Sequence, residues 1–192
     1  MTQNFSKREQ KRVRQRRQQA RSIVLWSGLG VLALVVVGAV IWQGIRPRAG
    51  QAVPIMQSTH IPTDSDPGQY NSDPPTSGPH YSGELEPGFY ESNSYQYPAG
   101  YLTHNLEHGY IIFWYNCAKL DEAACVQLKS QLRSIIEEFD NVKVIAYPWD
   151  TLDAPVAMTS WGRLQKMERF DATQARAFYK ANLNRAPEPN AP

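Results

Sequence analysis

Hydrophobic positions divide the chain into regions of different pattern, and the first is an uncharged run of 24 residues between Arg21 and Arg46. At about 1.5 Å rise per residue, a helix of that length spans roughly 36 Å, enough to cross a hydrocarbon core of about 30 Å. Trp26 and Trp42 lie near its two ends, where amphipathic rings prefer the headgroup level. The pattern predicts a transmembrane helix over residues 22–45.

A cleaved signal peptide is the alternative interpretation of this run. The apolar region of a signal peptide is about 7–15 residues long and is followed by a small-residue cleavage site. Here the run is longer, and residues 41–47 lack the small-x-small pattern. We therefore expect an uncleaved anchor.

The charges on either side of the run predict its orientation. Residues 1–21 carry eight basic side chains against the single acid Glu9, whereas the other flank has only Arg46 and Arg48. An excess of Lys and Arg marks the cytoplasmic side. The sequence thus predicts a cell-membrane protein with a cytoplasmic N-terminus and a C-terminal domain outside the cytoplasm.

Residues 49–100 are rich in proline, which forbids long helices and strand ladders. The same stretch holds several tyrosines, and a disordered linker is poor in aromatic residues. We interpret it as an ordered, irregular wrap over a core, with its first dozen residues acting as a tether.

The rest of the chain has the periodicity of regular structure. Alternating or continuous apolar residues predict strands, and apolar steps of three and four after Asp121 predict a helix. Asp171 with Gln174 forms a capping-box-like start of a last helix. The predicted elements are strand 110–115, helix 121–139, strand 142–147, strand 156–161, a further strand near 164–170 and helix 171–182.

This order predicts an α+β fold: one N-terminal transmembrane helix and a small outer domain with a mixed sheet, two helices and the proline- and tyrosine-rich wrap. A strand–helix–strand step favours a right-handed parallel crossover, with later strands added antiparallel. The C-terminal half resembles the second half of a thioredoxin-like fold, in architecture only. The predicted regions are a basic cytoplasmic arm (1–21), the transmembrane helix (22–45), a linker (46–58), the extracytoplasmic domain (59–183) and a flexible tail (184–192).

Charge and cysteine usage narrow the expected partners. Beyond residue 48 the chain has ten basic and seventeen acidic side chains, a net charge of −7, which argues against nucleic acid as a partner. The basic arm is expected to bind the anionic lipid of the bilayer. Cys117 and Cys125 lack the Cys-x-x-Cys spacing, so a structural disulfide is favoured, with a redox or copper pair as the alternative.

The candidate chemistry lies in the histidines, which are His60, His80, His104 and His108. Residues 104–108 match His-x-x-Glu-His, the inverted zinc-protease pattern, but at most two turns of helix are expected there. A metal site without catalytic activity does not require a long helix. We expect His80, His104 and His108 to supply nitrogen ligands and Glu107 to ligate or orient one of them, as suits zinc or copper. Alternatively, His80 and His108 are hydrogen-bonded residues that fix the wrap to the sheet.

Two motifs carry a resemblance to a known family. Residues 71–81, Asn-Ser-Asp-Pro-Pro-Thr-Ser-Gly-Pro-His-Tyr, together with His104-Asn-Leu-Glu-His-Gly109, resemble the bacterial family DUF3105, a domain of unknown function. Ser160-Trp-Gly-Arg163 is similar to its later motif, and the resemblance covers roughly residues 59–182. It implies a single-span membrane protein and assigns no activity.

Three functional hypotheses follow. The first is binding of one transition metal, copper or zinc, by an accessory or carrier protein of the cell envelope. The second is a structural or accessory subunit of a membrane protein complex, without a metal. The third is a zinc-dependent hydrolase. Because no complete catalytic signature is present, a role other than an enzyme is favoured and no catalytic residue is assigned.

Overall fold

The computed structural model of the protein describes residues 26–38, 48–91 and 95–191. The chain divides into two compact units, Met1–Arg46 and Pro47–Pro192. In the first unit, helix α1 occupies residues 26–38, and its large apolar side chains are more than half exposed. Within the described ranges, no helix combines the length and apolar character needed to cross a membrane. The predicted basic arm, 1–21, and both ends of the predicted transmembrane helix, 22–25 and 39–45, lie outside the described residues.

In its described residues, the second unit has a six-stranded mixed sheet, three helices and one short 3-10 turn. The predicted α+β class is therefore confirmed. In chain order the elements are β1 (Gln51–Ala52), β2 (Gly88–Phe89), α2 (Ala99–Glu107), β3 (Ile111–Tyr115), the 3-10 turn Cys117–Lys119, α3 (Glu122–Glu138), β4 (Val144–Pro148), β5 (Val156–Ser160), β6 (Arg163–Met167) and α4 (Ala172–Asn182).

The sheet has the strand order β1-β6-β5-β3-β4-β2. The step from β3 through α3 to β4 is a parallel crossover, as the strand–helix–strand pattern predicts, and β2 extends this parallel half beside β4. On the other side of β3, strands β5 and β6 are added antiparallel, and β1 pairs with β6 at the edge.

Side chains of the central strands alternate between two cores, one on each face of the sheet. Ile111 and Phe113 of β3 pack with the apolar stripes of α3 and α4. Ile112 and Trp114 point the other way and pack with Leu102 and Leu106 of α2 and with the wrap. Because both faces are covered, β3 is buried along its whole length, which explains its continuous apolar sequence.

Local signals in the sequence account for the starts of α3 and α4. The Asp121 carboxylate accepts a hydrogen bond from the Ala124 amide, and Asp171 accepts from the amides of Thr173 and Gln174. A disulfide joins Cys117, in the 3-10 turn, to Cys125 in the first turns of α3. This is the arrangement that the simple structural interpretation of the two cysteines predicts.

Helix α2 is a third helix in this unit, so the prediction of two helices was wrong; the sequence allowed at most two turns of helix at residues 104–108. The helix is buried on every side, and polar Thr103, His104, Asn105 and Glu107 are among its buried residues. Sequence periodicity detects helices by one apolar and one polar face, and a helix with polar residues on a buried face lacks that contrast. Periodicity therefore gives no signal for α2 as a separate element.

Both ends of the second unit make ordered contacts. The segment expected to be a linker contributes β1, and Val53 donates its amide to Gly162 O of the β5–β6 turn. At the other end, the segment expected to be a flexible tail crosses the end of α2. The Lys143 ammonium donates to the carbonyls of His108, Pro189 and Ala191, and this contact holds the segment in place.

Candidate metal centre

Helix α2 supplies two side chains of the candidate centre. His104 and Glu107 are three residues apart, so they project from one face, while Leu102 and Leu106 face the sheet. The wrap covers the face that carries His104 and Glu107, which leaves these residues only 6% and 3% exposed. An imidazole and a carboxylate are thus held side by side away from bulk water.

The wrap supplies the remaining side chains. His80 follows the proline-rich turn, whose Gly78 has φ +127° with the Tyr70 ring in close contact, a conformation that favours glycine. His80 is 0% exposed. Its backbone forms an isolated parallel bridge with His60: the His80 amide donates to Thr59 O at 3.0 Å, and the Ile61 amide donates to His80 O at 2.9 Å.

These segments bring four potential ligands together: His60, His80, His104 and Glu107. One ligand atom from each lies within 4.8 Å of all the others. The imidazole centroids are 4.5 Å apart for His60 and His80, 5.1 Å for His80 and His104, and 5.2 Å for His60 and His104. In the described part of the chain this is the one group of metal-ligating side chains with such spacing.

Backbone carbonyls fix the tautomers of the two buried histidines. His80 Nδ1 lies 2.9 Å from Gly78 O, and His104 Nδ1 lies 3.1 Å from Gly83 O. A carbonyl oxygen can only accept, so each Nδ1 carries the proton and donates it. In the neutral imidazole, Nε2 then keeps its lone pair. Metal-ligating histidines are oriented in this way, by donating the other ring N–H to a carbonyl or carboxylate.

The central contact is between His80 Nε2 and Glu107 Oε2, which are 2.8 Å apart. Both atoms are buried, and neither has a partner in hydrogen-bond geometry. A lone pair facing a carboxylate oxygen is unfavourable, and a buried polar atom without a partner costs about 1–3 kcal/mol. A cation between the two atoms, either a metal ion or a proton, removes that cost.

Electrostatics favour the metal-binding form of His104. Burial lowers its pKa, the hydrogen bond to Gly83 O opposes this in part, and the nearby imidazoles of His108 and His80 lower it further. The imidazole is thus kept neutral, as a nitrogen ligand must be.

The donor set comes close to the spacing of a transition-metal site. In the tetrahedral geometry of zinc, bonds of about 2.0–2.1 Å place two ligand atoms roughly 3.3–3.4 Å apart. The four ligand atoms lie within 4.8 Å of one another, so the widest pair must approach by up to about 1.4 Å when an ion binds. Three nitrogens with one oxygen suit zinc or copper. The chemistry of the four residues therefore fits one such ion.

The four residues proposed from the sequence do not all enter this group. The structure brings together His80, His104 and Glu107, and adds His60, which the sequence analysis leaves without a role. His108 is the C-cap of α2. Its ring lies 4.3 Å from that of His104, but its Nδ1 is 2.7 Å from Glu84 Oε2 and its Nε2 is 3.7 Å from Glu188 Oε2.

A further contact links Glu107 to the segment that carries His60. The Ser58 hydroxyl donates to Glu107 Oε1, while Glu107 Oε2 faces His80. Neither Ser58 nor His60 is marked in the sequence by a motif. The signal for His60 was only that it is one of four histidines in one domain, because the pairing of residues 59–61 with His80 is not visible in the sequence.

The fold and this cluster define the class of the protein: an α+β domain in which a buried imidazole–carboxylate group can hold a metal ion. The chain belongs to the family described as "Protein of unknown function (DUF3105)", whose model matches residues 62–192. The resemblance drawn from the sequence motifs is confirmed. His80, His104 and Glu107 fall inside the matched range, and His60 precedes it. Comparison with curated proteins and with solved structures finds no match.

Proposed function

We propose that this protein is a membrane-anchored domain outside the cytoplasm that binds one transition-metal ion, zinc or copper, through His80, His104 and Glu107, with His60 as a fourth ligand. The observation that carries the proposal is the contact between His80 Nε2 and Glu107 Oε2. The two atoms are buried, 2.8 Å apart and without hydrogen-bond partners, and the Gly78 carbonyl holds the proton of His80 on the opposite nitrogen.

A structural role for these residues explains less. A histidine that merely fixes the wrap needs one carboxylate partner, as His108 has in Glu84. His80 and His104 each bond a backbone carbonyl through Nδ1, and each also offers a ring nitrogen to one group that contains Glu107 and His60. That arrangement supports a metal ligand set more than a hydrogen-bonded anchor.

The metal content of the purified full chain tests this proposal. We expect about one equivalent of zinc or copper by mass spectrometry after purification in detergent and titration with each ion. His104→Ala should lose the ion because it removes a ligand from the buried group. The matched control is His108→Ala, the same change at a residue with its ring only 4.3 Å away. Absence of metal from the wild type, or equal loss in both variants, would contradict this ligand set.

The membrane anchor rests on the 24-residue uncharged run and on its charge flanks. The exposed apolar side chains of α1 support it. We expect the chain to stay in the membrane fraction after carbonate extraction, and protease added outside the cytoplasm to reach residues beyond 48 but not residues 1–21. The control is a chain that lacks residues 1–45, which should appear in the soluble fraction. Release of the full chain by carbonate would contradict an anchor.

A structural or accessory role in a membrane complex is the second candidate, and a tyrosine cluster favours it. Tyr97 contacts Tyr90, Tyr95 and Tyr101, and Tyr95 is 69% exposed. Exposed aromatic surface is typical of protein contacts. The accessory role is favoured if the wild-type protein binds no metal. A hydrolase requires an ion with an open position for water, so it becomes testable only once metal binding is measured.

The strand order also supports a thioredoxin-like C-terminal half. The parallel crossover β3–α3–β4 is followed by antiparallel β5 and β6 and by α4. This similarity concerns architecture, and it assigns no redox activity.

A further inference from the structure

We propose that the centre is a metal-transfer site, and that the segment 58–60 is its gate: His60 is the ligand that leaves first, so that a ligand from an acceptor molecule can reach the ion. This inference rests on the proposed metal-binding function and specifies how the ion enters and leaves. It distinguishes a carrier, from which an ion can be taken, from a structural site, which releases its ion only on unfolding.

The four ligands differ sharply in burial. His80, His104 and Glu107 are 0%, 6% and 3% exposed, and α2 and the buried turn of the wrap position them. His60 is exposed, although its ring contacts those of His80 and His104. Three ligands thus form a fixed floor, and the fourth closes the centre from the solvent side.

Few hydrogen bonds hold the closing segment. One backbone bond joins Thr59 O to the His80 amide, the neighbouring Ile61 amide donates to His80 O, and the Ser58 hydroxyl donates to Glu107. Residues 57–60 are all exposed, so no large apolar surface has to be separated when they move. Segments with few buried contacts open locally at low free-energy cost.

Firm contacts on both sides limit the motion to this segment. Before it, the Met56 amide donates to Ser77 Oγ at 3.0 Å. After it, Tyr81, which is buried, donates its hydroxyl to Ser65 O at 2.8 Å. Opening therefore breaks the contacts to His80 and Glu107 but does not require the wrap to leave the sheet.

The chemistry of transfer is ligand exchange. The bond between the ion and a ring nitrogen of His60 breaks, and a bond to an acceptor nitrogen, oxygen or sulfur forms in its place. The oxidation state of the ion is unchanged and no other reactant is needed. The bonds from the ion to His80, His104 and Glu107 are then replaced, one after another, by bonds to the acceptor.

Release kinetics test the gate. The full-length protein is loaded with one equivalent of zinc and mixed with increasing concentrations of a chromogenic chelator, and zinc transfer is followed by absorbance. We expect the rate to rise with chelator concentration, because the chelator enters beside the ion before release is complete. His60→Ala should still bind zinc but release it at least about tenfold faster, and Ser58→Ala should also accelerate release. Thr63→Ala, an exposed change in the same part of the wrap, should match the wild type.

The outcomes separate the two proposals. A wild type that binds no zinc or copper overturns the metal-binding function itself. Bound zinc with a release rate independent of chelator concentration, or with the same rate in His60→Ala, overturns the gate alone. Failure of His60→Ala to bind zinc at all also overturns the gate, since His60 would then be as essential as the buried ligands.

Discussion

Replacing Glu107 with glutamine should remove the stabilisation that metal gives to the protein, while leaving the stability of the metal-free protein close to that of the wild type. An amide is a poor metal ligand, and we expect the affinity to fall by more than about 100-fold, more than the loss of an outer-shell partner causes. In the metal-free state, however, the glutamine NH₂ can donate to His80 Nε2, and its oxygen can still accept from Ser58. The buried atoms that lack partners in the wild type would then be paired.

Urea unfolding with and without zinc measures both effects. At a metal concentration of about 100 times Kd, binding adds about 2.7 kcal/mol to the free energy of unfolding, and a 100-fold weaker site retains less than about 0.5 kcal/mol of it. Glu84→Gln is the matched control, because Glu84 is a carboxylate that bonds His108 outside the group. Retained metal stabilisation in Glu107→Gln, or equal loss in Glu84→Gln, would show that Glu107 is not a ligand.

Replacing Trp114 with alanine should destabilise the second unit by about 3–5 kcal/mol. Trp114 in β3 is 0% exposed, and its ring packs against Trp149 and Tyr147. Its Nε1–H also donates to Thr159 Oγ1 at 2.7 Å, so the substitution leaves both a cavity and a buried hydroxyl without its donor. For a domain with a total stability of about 5–15 kcal/mol, this is a large share.

Urea unfolding followed by far-UV circular dichroism provides the measurement, because it does not depend on tryptophan fluorescence. Val126→Ala serves as the comparison. Val126 is 64% exposed on α3, so its loss should change the free energy of unfolding by less than about 0.5 kcal/mol. A cost below about 1 kcal/mol for Trp114→Ala would mean that the core on the α2 face is not closely packed around this side chain.

The four strands β3 to β6 and the helices α3 and α4 could be predicted because their residues carry strong local signals, whereas the two-residue strands β1 and β2 could not. The continuous apolar run of β3 is typical of a buried strand, and the apolar residues spaced three and four apart in α3 are typical of a helix. Asp121 and Asp171 mark helix starts because their side chains accept hydrogen bonds from backbone amides. Such signals are local, so no knowledge of distant contacts is needed to interpret them.

The candidate centre could be predicted only in part. His80, His104 and Glu107 were chosen from motifs. His60 joins the group because two irregular segments pair with each other, and such pairing produces no hydrophobic periodicity in the sequence. The hypothesis for His108 required a tight turn that brings it beside His104 as a ligand. Helix α2 ends at Glu107, and Gly109 then turns the chain with φ +86°. The Gly109 backbone lies so close to Asn184 that a Cβ would stand 2.6 Å from Asn184 Cα. His108 thus caps the helix and faces Glu84.

The central position of β3 has a consequence for how the chain is made. Its two neighbours in the sheet, β4 and β5, both follow it in the sequence. The nascent segment Ile111–Tyr115 therefore has no native partner strand until β4 has emerged at Pro148, and it lacks the second until β5 ends at Ser160. Five consecutive apolar and aromatic residues without charge or proline have the composition of an aggregation-prone strand. During synthesis, a chaperone that covers this segment would keep nascent chains from pairing with one another, and rapid overproduction without one is expected to yield insoluble protein.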